Sequence, residues 1–336
     1  MFKKLKFVML LAVMSCGNLN AQCYYNDGSP SVTVYYWDLS KGNVTLTPSN
    51  ASGYLWDNTQ NTWKSVSSNS YAQTVAIHYI LMDPDSKFNG NPDDATFRSY
   101  YHYDQVTTSS GGSGGTVNIV NRSDVATVED EWYSRATDVG KKKTTNYISV
   151  SCNGGYNVLL DNVWSEYYNS STDKGGLFFG KGENPTSTLY FHVILRGDNR
   201  LNNVFYANKN ENHKLIFSSY KAGDANYTGN EGSLFVADNH GNTSNNHYNS
   251  VIGCNDDSDD CRALYFESGT VYAGAYMSDN CSAIGAGGNG YGSVYISGGT
   301  VTAVTSSTGT ALGGGIGYGS DGGAGNVEIS GGNVYA

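Results

Sequence analysis

The segment Val294-Tyr-Ile-Ser-Gly-Gly-Thr-Val-Thr-Ala303 decides the fold, because close variants of it stand at regular distances on either side. One variant, Leu264-Tyr-Phe-Glu-Ser-Gly-Thr-Val-Tyr-Ala273, begins 30 residues earlier. Another, Val327-Glu-Ile-Ser-Gly-Gly-Asn-Val-Tyr-Ala336, begins 33 residues later. A second module alternates with them as Ser250-Val-Ile-Gly253, Ser282-Ala-Ile-Gly285 and Thr310-Ala-Leu-Gly313. Two interleaved modules with a period of about thirty residues are typical of a solenoid or a propeller.

Apolar residues alternate within each copy, so that Val294 and Ile296 share one side of the chain and Tyr295 takes the other. A period of two predicts short, half-buried strands, and the glycine pair predicts a sharp corner between them. Three short strands in about thirty residues fit one coil of a parallel β-helix, whereas a propeller blade needs four strands. We therefore predict an all-β fold, a right-handed parallel β-helix (solenoid) with an irregular N-terminal cap and a loop insertion.

Stacked coils should place equivalent apolar residues in ladders inside the helix. The alignment of the repeats predicts three such interior ladders, which are Ile252 with Ile284 and Leu312, Val271 with Val301 and Val334, and Phe266 with Ile296 and Ile329.

The chain divides into three predicted parts. Residues 1–21 have the pattern of a signal peptide, with lysines at the start, an apolar run over Phe7–Met14 and Ala21 before the cleavage point. Residues 22–145 are predicted to form an N-terminal cap and the first irregular coils, with an insertion at about 83–143. Residues 146–336 are predicted to form the parallel β-helix, with regular Gly-rich coils from about residue 250.

The signal peptide predicts an extracellular protein or one on the outer cell surface. Lipoprotein anchoring through Cys16 is the alternative, because small and apolar residues also precede that cysteine. No later stretch is long and apolar enough to predict a transmembrane segment. The last copy of the repeat stops in the middle of the module, so we also expect further C-terminal domains beyond Ala336.

Several segments carry a resemblance to known proteins. They are Asp38-Leu-Ser-Lys-Gly-Asn-Val44, Val158-Leu-Leu-Asp-Asn-Val163, Leu195-Arg-Gly-Asp-Asn-Arg200 and the repeat modules. In these the chain resembles secreted Bacteroidales surface proteins with Gly-rich β-helical repeats, described as adhesin-like or as containing a carbohydrate-binding domain. The resemblance implies a non-catalytic surface protein and supplies no catalytic residues.

Charge limits the expected partners. The net charge is −10, and no basic residue follows Arg262. Nucleic-acid binding needs clustered lysines and arginines, so we expect no nucleic-acid partner. Neutral glycans and host or extracellular matrix proteins are the expected partners.

Outward tyrosines are the candidate glycan-binding residues, namely Tyr265, Tyr272, Tyr295 and Tyr335. Flat rings on a rigid sheet bind sugars by stacking. The alternative is that these tyrosines have only a structural role, because aromatic residues suit strand surfaces and stabilise neighbouring strands.

The loop between Cys254 and Cys261 holds the candidate metal ligands Asp256, Asp257, Asp259 and Asp260. Calcium takes six to eight oxygen ligands, so four carboxylates could hold Ca²⁺, although a solvated acidic loop is the better explanation of them. No other cofactor is predicted. Cys254 and Cys261 are the predicted disulfide pair in an oxidising compartment, with Cys281 as a competitor for either.

No catalytic residues are assigned, and the predicted function is a non-catalytic exported surface protein, adhesin-like or carbohydrate-binding. The first alternative is a polysaccharide-degrading β-helix enzyme, a lyase or a glycoside hydrolase, for which His192, Arg196, Asp198 and Arg200 form the remaining candidate cluster. The second alternative is a passive structural stalk.

Overall fold

The computed structural model describes residues 33–72, 76–83, 88, 143–151, 156–167, 175–180, 189–206, 213–219, 232–237, 250–254, 261–275, 282–287, 290–305, 314–318 and 325–336, and the backbone of 117–120. Its parallel strands stack into three ladders, which we call A, B and C. The strands are numbered in chain order.

Ladder A holds one strand from each coil. Its members, from the first coil to the last, are β1 (Val34–Asp38), β5 (Ile77–Leu81), β8 (Tyr156–Asp161), β11 (Leu189–Arg196), β14 (His213–Ser219), β17 (Cys261–Phe266), β20 (Gly292–Ile296) and β23 (Val327–Ile329).

Ladder B contains shorter strands. They are β2 (Val44–Thr47), β7 (Ile148–Val150), β10 (Leu177–Phe179), β13 (Val204–Tyr206), β16 (Ile252–Gly253), β19 (Ile284–Gly285) and β22 (Ile316–Gly317).

Ladder C forms a sheet of its own. Its members are β9 (Trp164–Ser165), β12 (Asp198–Leu201), β15 (Ser233–Ala237), β18 (Thr270–Ala275), β21 (Thr300–Thr305), β24 (Gly332–Tyr335) and, from much earlier in the chain, β6 (Val117–Val120). From β8 onwards each coil runs through ladder A, then C, then B.

The all-β parallel β-helix predicted from the repeat is confirmed. Two of the three predicted interior ladders are also confirmed, since Val271, Val301 and Val334 are in register and so are Phe266, Ile296 and Ile329.

The third interior ladder was wrong at its last member. Ile284 pairs with Ile316 and not with Leu312, which lies outside the described residues. Both candidates stand in an aliphatic-glycine pair within a glycine-rich run, so the sequence alone offered two alignments. In the structure the pair Ile316-Gly317 stacks on Ile284-Gly285, and the two glycines have the same positive φ of 130°.

Glycine is required in ladder B because the coils approach very closely there. A Cβ on Gly253 would lie 1.8 Å from the carbonyl oxygen of Gly285, and a Cβ on Gly285 would lie 1.9 Å from that of Gly317. At the corner between ladders A and C, Gly299 has a φ of 75°, a left-handed conformation that glycine adopts without steric cost. The glycine-rich composition therefore follows from close coil stacking and from sharp corners.

An antiparallel hairpin covers the first coils. It consists of β3 (Asn50–Asp57) and β4 (Thr62–Ser68), and β3 also pairs with β1 and β2. Its rings Trp56 and Trp63 pack edge to face, with centroids 5.2 Å apart, and belong to an apolar cluster outside ladder A. A 3₁₀ turn, Asn69–Tyr71, follows the hairpin. The irregular N-terminal region therefore lies against regular parallel strands that begin at Val34.

Within the described residues, no helix is long and apolar enough to span a membrane.

Candidate functional site

The outer face of ladder A carries one side chain per coil in register, a set that we call row A. Its members are Val34, Ile77, Asn157, His192, Ile216, Tyr265, Tyr295 and Glu328. They alternate along each strand with interior residues, as side chains in strands do. The row is apolar in the first two coils, carries Asn157 and His192 in the next two, returns to an apolar side chain at Ile216, and ends in aromatic and acidic groups.

Tyr265 and Tyr295 form a parallel ring stack in row A. Their ring centroids are 4.6 Å apart and their planes differ by 12°. The ammonium Nζ of Lys214 lies 5.1 Å from the centroid of Tyr265, within reach of a cation–π interaction. Tyr265 is buried, Tyr295 is half-buried and Glu328 is exposed, so row A opens to solvent at its last two members.

Polar groups lie beside this stack on the same outer face. His192 Nε2 and Ser218 Oγ are 2.6 Å apart in a hydrogen bond, and both side chains are buried. Lys214 and Ser218 were not among the residues predicted from the sequence. The alternation of β14 places them with Ile216 on one side, so the correct register of that strand would have indicated them.

The outer face of ladder C carries a second register of stacked groups, which we call row C. Its members are Trp164, Arg200, Phe235, Tyr272, Thr302 and Tyr335. The guanidinium carbon of Arg200 lies 5.3 Å from the ring centroid of Trp164 and 5.4 Å from that of Phe235. Phe235 and Tyr272 then stack at 4.6 Å with planes 3° apart. Tyr272 is buried and Tyr335 is half-buried.

The four predicted tyrosines thus fall on two outer faces, Tyr265 and Tyr295 on row A and Tyr272 and Tyr335 on row C. The strand register places Glu328 after Tyr295 in row A and Thr302 between Tyr272 and Tyr335 in row C. Within each row the tyrosine that comes earlier in the chain is buried, and the later one is half-buried. Glycan binding by these residues remains a prediction.

The candidate cluster of four charged and imidazole groups is not assembled. His192 lies in row A beside Ser218, whereas Arg200 lies in row C between two rings. Arg196 Nε lies 3.8 Å from Asp161 Oδ2, and Asp198 accepts a hydrogen bond from the Ser233 hydroxyl at 2.7 Å. The four side chains therefore serve separate local contacts on two faces.

The predicted metal ligands Asp256, Asp257, Asp259 and Asp260 lie outside the described residues. Cys254 is buried directly after β16, and only the backbone of Cys261 is described, so the disulfide between them also remains a prediction. Among the described histidines, cysteines and acidic residues, no three come together in a way that could hold a metal ion.

The interior of the first coils holds polar aromatic groups. Trp37 Nε1 donates a hydrogen bond to His78 Nδ1 at 3.3 Å, and the ring of Tyr156 stands edge-on to His78 at 5.6 Å. The hydroxyl of Tyr156 is buried and has no hydrogen-bond partner among the described residues. This burial raises the pKa of Tyr156 to about 12, because the phenolate would lose its hydration.

Comparisons with protein-family models, with the curated proteins and with the solved structures give no match.

Proposed function

We propose that this protein is a non-catalytic exported surface protein, adhesin-like, that binds glycans on the outer faces of its β-helix. The observation that carries the proposal is the end of the stack in row A. Tyr265 has Lys214 near its ring and Tyr295 stacked against it. Tyr295 is the next ring along and is half-buried, and the exposed Glu328 follows it in register.

An aromatic ring beside a carboxylate is a combination suited to sugars. The ring face packs against the apolar C–H face of a pyranose, and the carboxylate accepts hydrogen bonds from its hydroxyl groups. Adjacent coils repeat about every 4.8 Å, close to the length of one sugar residue in an extended polysaccharide. A glycan lying along the helix axis would therefore meet equivalent positions on successive coils.

Charge favours a neutral glycan or a protein surface over an acidic polymer. The chain carries a net charge of −10, and the region after Arg262 contains no basic residue. Glu328, at the open end of row A, would repel a polyanion. Host and extracellular matrix glycoproteins are the partners that fit this chemistry.

A glycan-array screen with the purified chain tests the proposal, followed by affinity measurements on variants. Tyr295→Ala should lower the affinity at least about tenfold, which is about 1.4 kcal/mol. Tyr295→Phe should retain most of the affinity, because the ring is kept. Tyr318→Ala is the matched control, because Tyr318 is exposed and belongs to neither row.

Three outcomes would contradict the proposal. Absence of binding to any glycan or matrix protein would favour a passive stalk. Release of reducing sugar from polysaccharides would favour a polysaccharide-degrading enzyme. Retention of the whole chain in the cytoplasm after expression in a bacterium with an outer membrane would contradict export. In a separate test, labelling with palmitate at Cys16 would show that the exported protein is anchored as a lipoprotein.

A further inference from the structure

Strand β6 occupies an unexpected place in ladder C. It lies early in the chain, between coil strands β5 and β7, yet it pairs in parallel with β24, the strand of the last coil. The register joins Gly332 to Val117 and continues to Tyr335 opposite Val120. Among the described strands, β23 and β22 are the last members of ladders A and B, whereas ladder C continues for one strand more.

Burial in the last coil agrees with this pairing. Val327 of ladder A and Val334 of ladder C both continue interior ladders of valine and leucine. Val327 is 45% exposed, whereas Val334 is 1% exposed. Two interior side chains of one coil differ in exposure in this way when a further strand covers the coil at one of them and not at the other.

The chain between the coils is long enough for this excursion. It leaves the second coil after Leu81 and returns at Thr144, which bridges to Ser165 in the next coil. Six coil steps separate β5 from β23 in ladder A, or about 29 Å at about 4.8 Å per step. The 35 residues between Leu81 and Val117 and the 23 between Val120 and Thr144 can each span more than twice that distance, at about 3.3 Å per residue.

We propose that the edge of β24 is a strand-acceptor site and that β6 is its occupant from the same chain, a clasp between the second and last described coils. A strand edge presents unpaired N–H and C=O groups, and an extended segment binds there through main-chain hydrogen bonds. With β6 in place, the edge of β24 is withheld from strands of other chains. The clasp is independent of glycan binding, so either proposal can fail without the other.

Cysteine cross-linking tests the register directly. Asn118 lies opposite Asn333 in the parallel pair, and Thr300 lies on the other side of Asn333. The variant Asn118→Cys with Asn333→Cys should form an intramolecular disulfide under mild oxidation, because neighbouring strands bring the two Cα atoms within bridging range. The matched variant Asn118→Cys with Thr300→Cys, one strand further away, should not. Peptide mapping by mass spectrometry identifies the bridge despite the native cysteines.

Removing the clasp tests its effect on association. Asn118→Pro with Ile119→Pro removes two of the four backbone N–H groups of β6. We expect faster amide exchange in Asn333–Tyr335 and concentration-dependent oligomers in light scattering. Ser109→Pro with Ser110→Pro places the same change outside β6 and should leave both measurements as in the wild type. An unchanged circular dichroism spectrum shows that each variant is folded. Absence of the 118–333 cross-link, or unchanged exchange at β24 in the folded β6 variant, would overturn the proposal.

Discussion

A single hydrogen atom in place of a side chain at Gly285 lets two coils stack. Its φ of 130° is a conformation that residues with a Cβ rarely adopt, and a Cβ there would meet the Gly317 carbonyl oxygen at 1.9 Å. Gly285→Ala should therefore lower the free energy of unfolding by about 2–5 kcal/mol, combining backbone strain with overpacking. Denaturant titration followed by circular dichroism measures the change.

Gly314→Ala is the control for this prediction. Gly314 is exposed, and the nearest atom to a Cβ there would be the Ile316 carbonyl oxygen at an ordinary 3.5 Å. We expect a change within about 0.5 kcal/mol. Equal stability of the two alanine variants would contradict the close stacking of ladder B.

Tyr156 should make the stability of the fold depend on alkaline pH. Burial raises its pKa to about 12, above the value of about 10 for an exposed tyrosine. The folded chain therefore favours the neutral phenol, and the associated stability is fully present below about pH 10 and is lost as the pH rises towards 12. Tyr156→Phe should retain more stability than the wild type across this window. At neutral pH it should be at least as stable, because the hydroxyl has no hydrogen-bond partner among the described residues.

Urea unfolding midpoints between pH 8 and pH 11.5 test this expectation. Tyr318→Phe changes an exposed ring and should follow the wild type throughout. If Tyr156→Phe loses stability above pH 10 as steeply as the wild type, then Tyr156 is not the group responsible.

Individual residues show which features of the structure can be predicted from the sequence and which cannot. Alternation placed Tyr265 and Tyr295 together correctly, because strand periodicity is a local property. It could not give the burial of Tyr265, because cover on an outer face depends on contacts distant in sequence. Leu312 and Ile316 both precede a glycine, so the sequence alone did not show that Ile316 is the residue paired with Ile284.

In row C a guanidinium group lies between two aromatic rings. Arg200 is buried with Trp164 on one side and Phe235 on the other, each within about 5.5 Å of its guanidinium carbon. Arg200→Ala removes two desolvated cation–π contacts and leaves a cavity, so it should cost about 2–4 kcal/mol. Arg200→Lys should not restore the full stability, because an ammonium cannot stack as a planar group.

Arg196→Ala is the matched control, since Arg196 is half-buried and its Nε lies 3.8 Å from Asp161 Oδ2, a long distance for an ion pair. Its loss should cost no more than about 1 kcal/mol. Chemical denaturation followed by tryptophan fluorescence compares the variants, and a similar loss for Arg196→Ala and Arg200→Ala would show that the stack in row C contributes little.

The strands that can be predicted from the sequence are those with a clear pattern of apolar residues. Short apolar segments of the kind that predicts strands form β2, β7, β8, β11, β14 and β15. The hairpin of β3 and β4 was not, because β4 reads Thr-Trp-Lys-Ser-Val-Ser-Ser and its partners are set by packing on the first coils. Polar strands of this kind are stabilised by context more than by composition.

On the scale of the whole molecule, the repeat alone predicted the architecture. Each coil contacts mainly its neighbours, so a local pattern that recurs also defines the global arrangement. The path of the insertion could not be derived in this way. β6 pairs with a strand more than 200 residues later in the chain, and neither segment contains a signal for the other.

The direction of the inter-coil hydrogen bonds has a mechanical consequence. In all three ladders these bonds run along the helix axis, so tension applied along that axis opens them one coil at a time instead of shearing many together. A coil of about thirty residues, such as that from Thr270 to Thr300, would add roughly 100 Å of extended chain on release. Under a pull on its two ends the molecule would therefore lengthen in steps and dissipate force.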